Sequence, residues 1–171
     1  PLKILRLVCF CDASLDFNGV RHQQGWIIGL TNTSLNQNDR APVSIAAWKS
    51  RKLARKAGSP QLFETYAASH ACAETSWVKC ILYSVLYSDF DILTQRPKHF
   101  EPLVKQPTVL RTNRPEVKDP DVSLLSESKG LYDALNNEPP QDDKKKLRWK
   151  CQLLRRAWGR MKGRLRWIPP N

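Results

Sequence analysis

Three carboxylates stand where local pattern breaks. Asp12 closes an apolar run, residues 2–11 (LKILRLVCFC), just before the turn signal Asp16-Phe17-Asn18-Gly19. A charge ending a strand that reads as buried on both faces is costly unless it is paired or holds a metal. Glu64 heads a stripe continued by Ala68, Ala71, Thr75, Val78 and Leu82, spaced by threes and fours as on one helix face. Glu127 follows the short apolar run 122–126 (VSLLS). Brought together, such groups form the hard oxygen donor set that Mg²⁺ prefers, and two ions about 3.5–4 Å apart suit in-line phosphodiester hydrolysis. The plainer reading is three structural charges, with Glu64 complementing the dipole in the first turn of its helix. Asp16, in a turn, and Asp133, in a short helix, read as solvated surface. His22, His70 and His99 show no catalytic spacing, and none of the five cysteines falls in a zinc-ligand pattern.

Charge supplies a second kind of chemistry. The chain has 28 Lys+Arg against 16 Asp+Glu, a net charge of +12. Residues 144–171 hold eleven of those basic residues and no acidic one, which leaves the rest at only +1. A one-signed segment of this kind points to a polyanionic partner. Its candidate phosphate contacts are Lys145, Lys146, Arg148, Arg155, Arg156, Arg160, Lys162 and Arg164. Trp149 lies off the apolar stripe, placed to stack on a base or to pack under a neighbouring segment. A second cluster, Lys49, Arg51, Lys52, Arg55 and Lys56, puts five charges in eight residues. Contacts of this type give strong salt dependence and little sequence specificity. The alternative for both clusters is a solvated face.

The elements that must position these groups follow from pattern. Residues 2–11, 25–31 (GWIIGLT) and 43–48 (VSIAAW), joined by polar connections, predict an antiparallel three-strand meander. Ser59-Pro60 starts a helix running to about Leu86, with Ser as N-cap and Pro at the first helical position. Residues 88–121 hold five of the twelve prolines and read as an insertion or a protein-binding arm within one domain spanning 1–171. A strand (122–126) and a short helix (129–136) follow. Next come a basic helix over 144–162, with Leu147, Cys151, Leu154, Trp158 and Met161 on one stripe, and a last strand (164–168). No apolar run approaches the ~20 residues that cross a bilayer, so no membrane contact is expected. The N-terminal ten residues, with Lys3 and Arg6, are too short and polar for a secretory signal. Cysteine usage predicts buried thiols in a reducing intracellular compartment.

The ordered series CFCDASLDFNG, GWIIGL, AAWKSRKLARKAGSPQLFETYAA, ESKGLYDAL and LRWIPPN resembles the RNase H domain of copia-type retrotransposon polyproteins, over most of the chain outside residues 88–121. The resemblance implies an RNase H-like α/β fold: a five-stranded mixed sheet flanked by helices. It also implies descent from a nuclease that cleaves RNA in RNA:DNA hybrids with Mg²⁺ or Mn²⁺. Asp12 matches the family's first-strand Asp, and Glu64 its first-helix Glu. Trp77, thirteen residues on, keeps the register and selects Glu64 over Glu74. WKSRK, residues 48–52, resembles the family's third-strand exit. Two departures stand out. Glu127 occupies a position that is Asp in the family; the extra methylene moves its carboxylate out by ~1.5 Å, where Mg²⁺ demands near-ideal octahedral geometry. The family's fourth carboxylate falls beyond Asn171. The expectation is therefore a domesticated, catalytically degenerate domain that binds RNA or a hybrid. It would act as a structural component of a ribonucleoprotein, for example an organellar (mitochondrial) ribosome. The competing expectations are an active ribonuclease H with Asp12, Glu64 and Glu127 holding the metals, and a protein-binding scaffold using 88–121.

Overall fold

The first strand is covered on both faces: successive residues Leu7, Val8 and Cys9 are fully buried, as its unbroken apolar run predicts. In the computed structural model, which describes residues 5–14, 22–32, 41–53, 59–86, 120–137 and 145–169, this strand, β1 (Arg6–Ser14), lies at the centre of a five-stranded sheet. It pairs antiparallel with β2 (Gln23–Thr31), which pairs antiparallel with β3 (Ser44–Lys52). On its other side β4 (Asp121–Ser126) runs parallel to β1, and β5 (Gly163–Trp167) runs parallel to β4. The order is β3-β2-β1-β4-β5, the mixed sheet expected from the sequence.

Helix α1 (Pro60–Leu86) begins where the Ser59-Pro60 pair predicts: Ser59 Oγ accepts from Leu62 N at 3.3 Å. Ala67, Ala68 and Ala71 are fully buried, and their small side chains let the helix lie close to the sheet. Thr65 and Thr75, also fully buried, donate to the carbonyls of Gln61 and Ala71 at 2.7 Å, so neither hydroxyl is orphaned. Helix α2 (Lys129–Asn136) is capped by Ser128, whose Oγ accepts from Leu131 N at 3.2 Å. Helix α3 (Lys145–Arg160) buries the whole predicted stripe of Leu147, Cys151, Leu154 and Trp158, continued by Met161 beyond its end. Leu7, Cys9, Cys11, Trp26 and Ile28 from the sheet meet Ala68, Ala71, Leu154 and Trp158 in one core. By alternation Val8, Phe10 and Asp12 face the opposite way.

Two corrections concern boundaries. β3 continues past the apolar residues through Lys49, Arg51 and Lys52, because pairing with β2 persists to Gln23 opposite Lys52 and an edge strand tolerates charge. Asp121, assigned to the insertion, is instead the first residue of β4 and bonds Arg6 at 2.7 Å. The remainder of the Pro-rich stretch, 88–119, lies outside the described residues, as do Asp16, Arg55, Lys56, His99 and Lys144. The five cysteines are free and buried. Burial pushes the Cys9 thiol up to about 11 and that of Cys72 up to about 12, so both stay protonated and inert. Among the described residues no helix is long and apolar enough to cross a membrane.

Candidate carboxylate site and nucleic-acid interface

Asp12 and Glu127 are exposed. The expectation that Asp12 closes a buried strand end is therefore corrected. It lies on the sheet face away from the helices, and that face is open here: Ile27 is 43% and Trp48 70% exposed. A groove of about 570 Å³ runs across this end of the sheet, with Phe10, Asp12, Trp48, Leu125 and Glu127 among its walls. Glu127 is fixed through its backbone. Its carbonyl accepts from Trp167 Nε1 at 3.1 Å, Ile168 N donates to the Ser126 carbonyl at 3.0 Å, and Ser128 caps α2 directly after it.

The desolvation cost falls on Glu64 instead. The first turn of α1 carries no acidic residue, so Glu64, in the second turn, does not serve the helix dipole there. It is half-buried, and its Oε2 finds no hydrogen-bond partner among the described residues. Burial raises its carboxyl from an ordinary 4.5 to about 7; the charge of Asp12 adds to the shift, a backbone hydrogen bond from Ala13 offsets part, and Glu127 contributes a little more. The charges of Asp12 and Glu127 thus both reach Glu64. Glu74 lies farther along α1, where its charge acts on His70. Oxygen donors and an orphaned carboxylate oxygen suit Mg²⁺ or Mn²⁺ in chemistry. In closure they do not: no group of three or more Asp, Glu, His or Cys side chains among the described residues is gathered to hold an ion.

The strand order, with α1 and α3 on one face and the carboxylates at one end, can be set beside known structures. RNase H1 from the halophilic archaeon Halobacterium salinarum NRC-1 superposes with a TM-score of 0.54 at 13% identity, over 96% of this chain and 86% of that one. The fold is RNase H-like. LC11-RNase H1, solved in complex with an RNA/DNA hybrid, gives 0.54 at 11% identity over the same shares of the two chains. The N-terminal RNase H domain of a Mycobacterium tuberculosis protein, solved as a fusion with maltose-binding protein, gives 0.50 at 11% over 96% of this chain and 83% of that one. No protein-family model and no curated protein matches the sequence.

The described basic residues that the sequence marks as phosphate contacts fall on β3, on α3, at the turn after α3 and on β5. Lys49, Arg51 and Lys52 are exposed on β3, an edge strand. Lys145, Lys146, Arg148, Trp149, Arg156 and Arg160 are exposed on α3, and Lys162 and Arg164 are exposed at and just after its end. Arg155 differs from its neighbours: half-buried, it donates to the Ala134 carbonyl at 2.7 Å and ties α3 to α2. Sequence reading passed over Lys150, which joins the two clusters. Its Nζ lies 5.4 Å from the Tyr66 ring centroid and 5.1 Å from that of Trp149, and Lys146 approaches Tyr66 from 6.0 Å. Burial lowers the pKa of His70, and so do Arg51, Lys150 and Lys49, against an opposing pull from Glu74. Cations from β3 and from α3 therefore act on one point of α1. The signal for Lys150 was its i, i+4 spacing from Lys146, which puts both on one face beside the apolar stripe.

Proposed function

We propose that this chain is a nucleic-acid-binding RNase H-like domain whose carboxylate centre is degenerate, so that it holds RNA or an RNA:DNA hybrid without cutting it. The observation that supports this reading is the meeting of cations from two elements: Arg51 and Lys52 of β3 and Lys150 of α3 line one pocket with Tyr66 and His70 of α1. Phosphate contacts of this kind position a strand and carry no base information. Degeneracy is supported by Glu127 at the resemblance's Asp position. The solved complex of LC11-RNase H1 with an RNA/DNA hybrid supports the substrate class by analogy of fold. Descent from a copia-type element, a structural place in an organellar (mitochondrial) ribonucleoprotein and a protein contact through 88–119 belong to the same reading and rest on the motif series and composition.

One observation favours an active ribonuclease H: Glu64, raised to about 7 by burial and by Asp12 and Glu127, behaves as a member of a carboxylate group that a divalent cation would relieve. Incubating the purified protein with a labelled hybrid and Mg²⁺ or Mn²⁺ separates the two. The degenerate reading expects retention of the hybrid on a binding gel with no cleavage. Cleavage that disappears in Asp12→Asn would overturn it.

A further inference from the structure

Strand β3 pairs with β2 along one side, and among the described residues no strand pairs with its other side. One bond fixes the direction of its backbone groups. Leu53 N donates to the His22 carbonyl at 2.8 Å, so His22 and Leu53 face each other as a hydrogen-bonded pair. In an antiparallel ladder such pairs alternate, which makes Gln24–Arg51, Trp26–Lys49 and Ile28–Ala47 the next bonded ones. Trp48, Ser50 and Lys52 therefore turn their N–H and C=O groups away from β2. All three are exposed, and together they form a row of donors and acceptors that one more strand could meet.

The side chains define the strand that fits. A register shift between Ile28 and Gly29 leaves Ala46 as an extra residue in β3, so Ile45 pairs with Gly29 and Trp48 with Ile27. Because Ile27 and Gly29 share a face of β2, Ile45 and Trp48 both lie on the open face of the sheet, 65% and 70% exposed. From Ala47 to Lys52 the ladder is regular. The edge thus presents an apolar half at Ile45 and Trp48, then the cations Lys49, Arg51 and Lys52, and no acidic residue. On its outer side Lys49 and Arg51 would belong to non-hydrogen-bonded pairs, where opposite side chains approach most closely. A second copy would bring the same cations and the same net charge of +12 to this edge, and like charges repel. An acidic strand meets complementary charge.

We infer that the outer edge of β3 takes an added antiparallel strand from an acidic partner peptide. Its carboxylates would lie opposite Lys49 and Arg51, and its β-branched or aromatic residues opposite Trp48 and on toward Ile45. From its own N-terminus such a peptide is acidic first and apolar afterwards. This interface goes beyond the nucleic-acid reading and does not depend on it.

The test titrates the full chain into a fluorescent peptide of about eight residues, with Asp and Glu in its first half and Val, Ile and Tyr in its second, and reads anisotropy. Two further versions are N-methylated at alternate amides. Methylation opposite Trp48, Ser50 and Lys52 should weaken binding tenfold or more, roughly the loss of bonds to the edge, while the other set binds as the parent does. Ser50→Pro removes an outward N–H and no bond to β2, a place where an edge strand tolerates proline. It should bind the parent peptide roughly tenfold more weakly, and Lys49→Glu roughly 3–10-fold more weakly, with thermal melts recorded for both. Equal affinity of the two methylated peptides overturns strand addition whatever the variants do. A reversed-order peptide that binds as well as the parent, undiminished binding in both protein variants, or no binding by the wild type overturns it too. A wild-type dimer in sedimentation that Ser50→Pro dissolves overturns the acidic partner, the edge then belonging to a second copy.

Discussion

Glu64 is the residue at which sequence, burial and charge pull apart. As one of six positions on an otherwise apolar or small-residue stripe it reads equally as ligand or as surface charge. Its second-turn position and its raised carboxyl remove the dipole explanation. The folded state holds this proton more tightly than the unfolded chain does, so stability contributed at low pH is lost as pH rises from 4.5 through about 7. Glu64→Gln, which keeps the shape without the charge, should melt above the wild type at pH 8, and the gap should close on acidification to pH 4.5. Thermal melts across that range decide it; a gap independent of pH would show that the carboxylate is not destabilised by its neighbours. Asp12 and Glu127 are both exposed. The sequence marked them as a pair with Glu64 through their places at strand ends, but it could not show that burial falls on one of the three.

At the scale of elements the periodicities were strong enough to read. The α3 stripe at spacings of four and three is buried without exception, and the Ser-Pro start of α1 and the span of α2 are found as patterned. Boundaries were less legible where pairing rather than composition decides them, as in the charged half of β3 and in Asp121. The corner from α3 into β5 is another such place. Lys162 there takes φ +54°, and at Gly163 an added Cβ would enter the Trp158 ring. Trp158 is itself a core residue at 6% exposure and cannot retreat freely. Gly163→Ala should therefore lose about 1–3 kcal/mol, the usual penalty for overpacking a filled core, seen as an earlier denaturant midpoint with unchanged slope. A midpoint equal to the wild type's would mean that the corner relaxes at no cost. That glycine gave no signal in the sequence, because what forbids a side chain there is a tryptophan five residues earlier folded back by the turn.

Over the whole molecule the two basic clusters meet at one pocket, lined by Arg51 and Lys52 of β3 and Lys150 of α3. Neutralising one member of each, Lys49→Gln and Lys146→Gln, should flatten the log–log salt dependence of hybrid binding by about 0.7–0.9 per residue, with similar losses on unrelated sequences, since such contacts read phosphate and not bases. Unchanged slopes in both variants would remove these residues from the interface. The sequence by itself determined the order of elements, the buried faces, the meander and the charge asymmetry. Each of these is a local periodicity or a count, fixed by how side chains alternate along a strand or recur around a helix. Only the tertiary structure decided which groups meet. Arg51 and Lys150 share a pocket because α3 packs on α1 beside the exit of β3. Glu64 is shifted because strand ends far from it in the chain bring their charges close. Distances between remote residues are set by packing, and neither spacing nor composition encodes them.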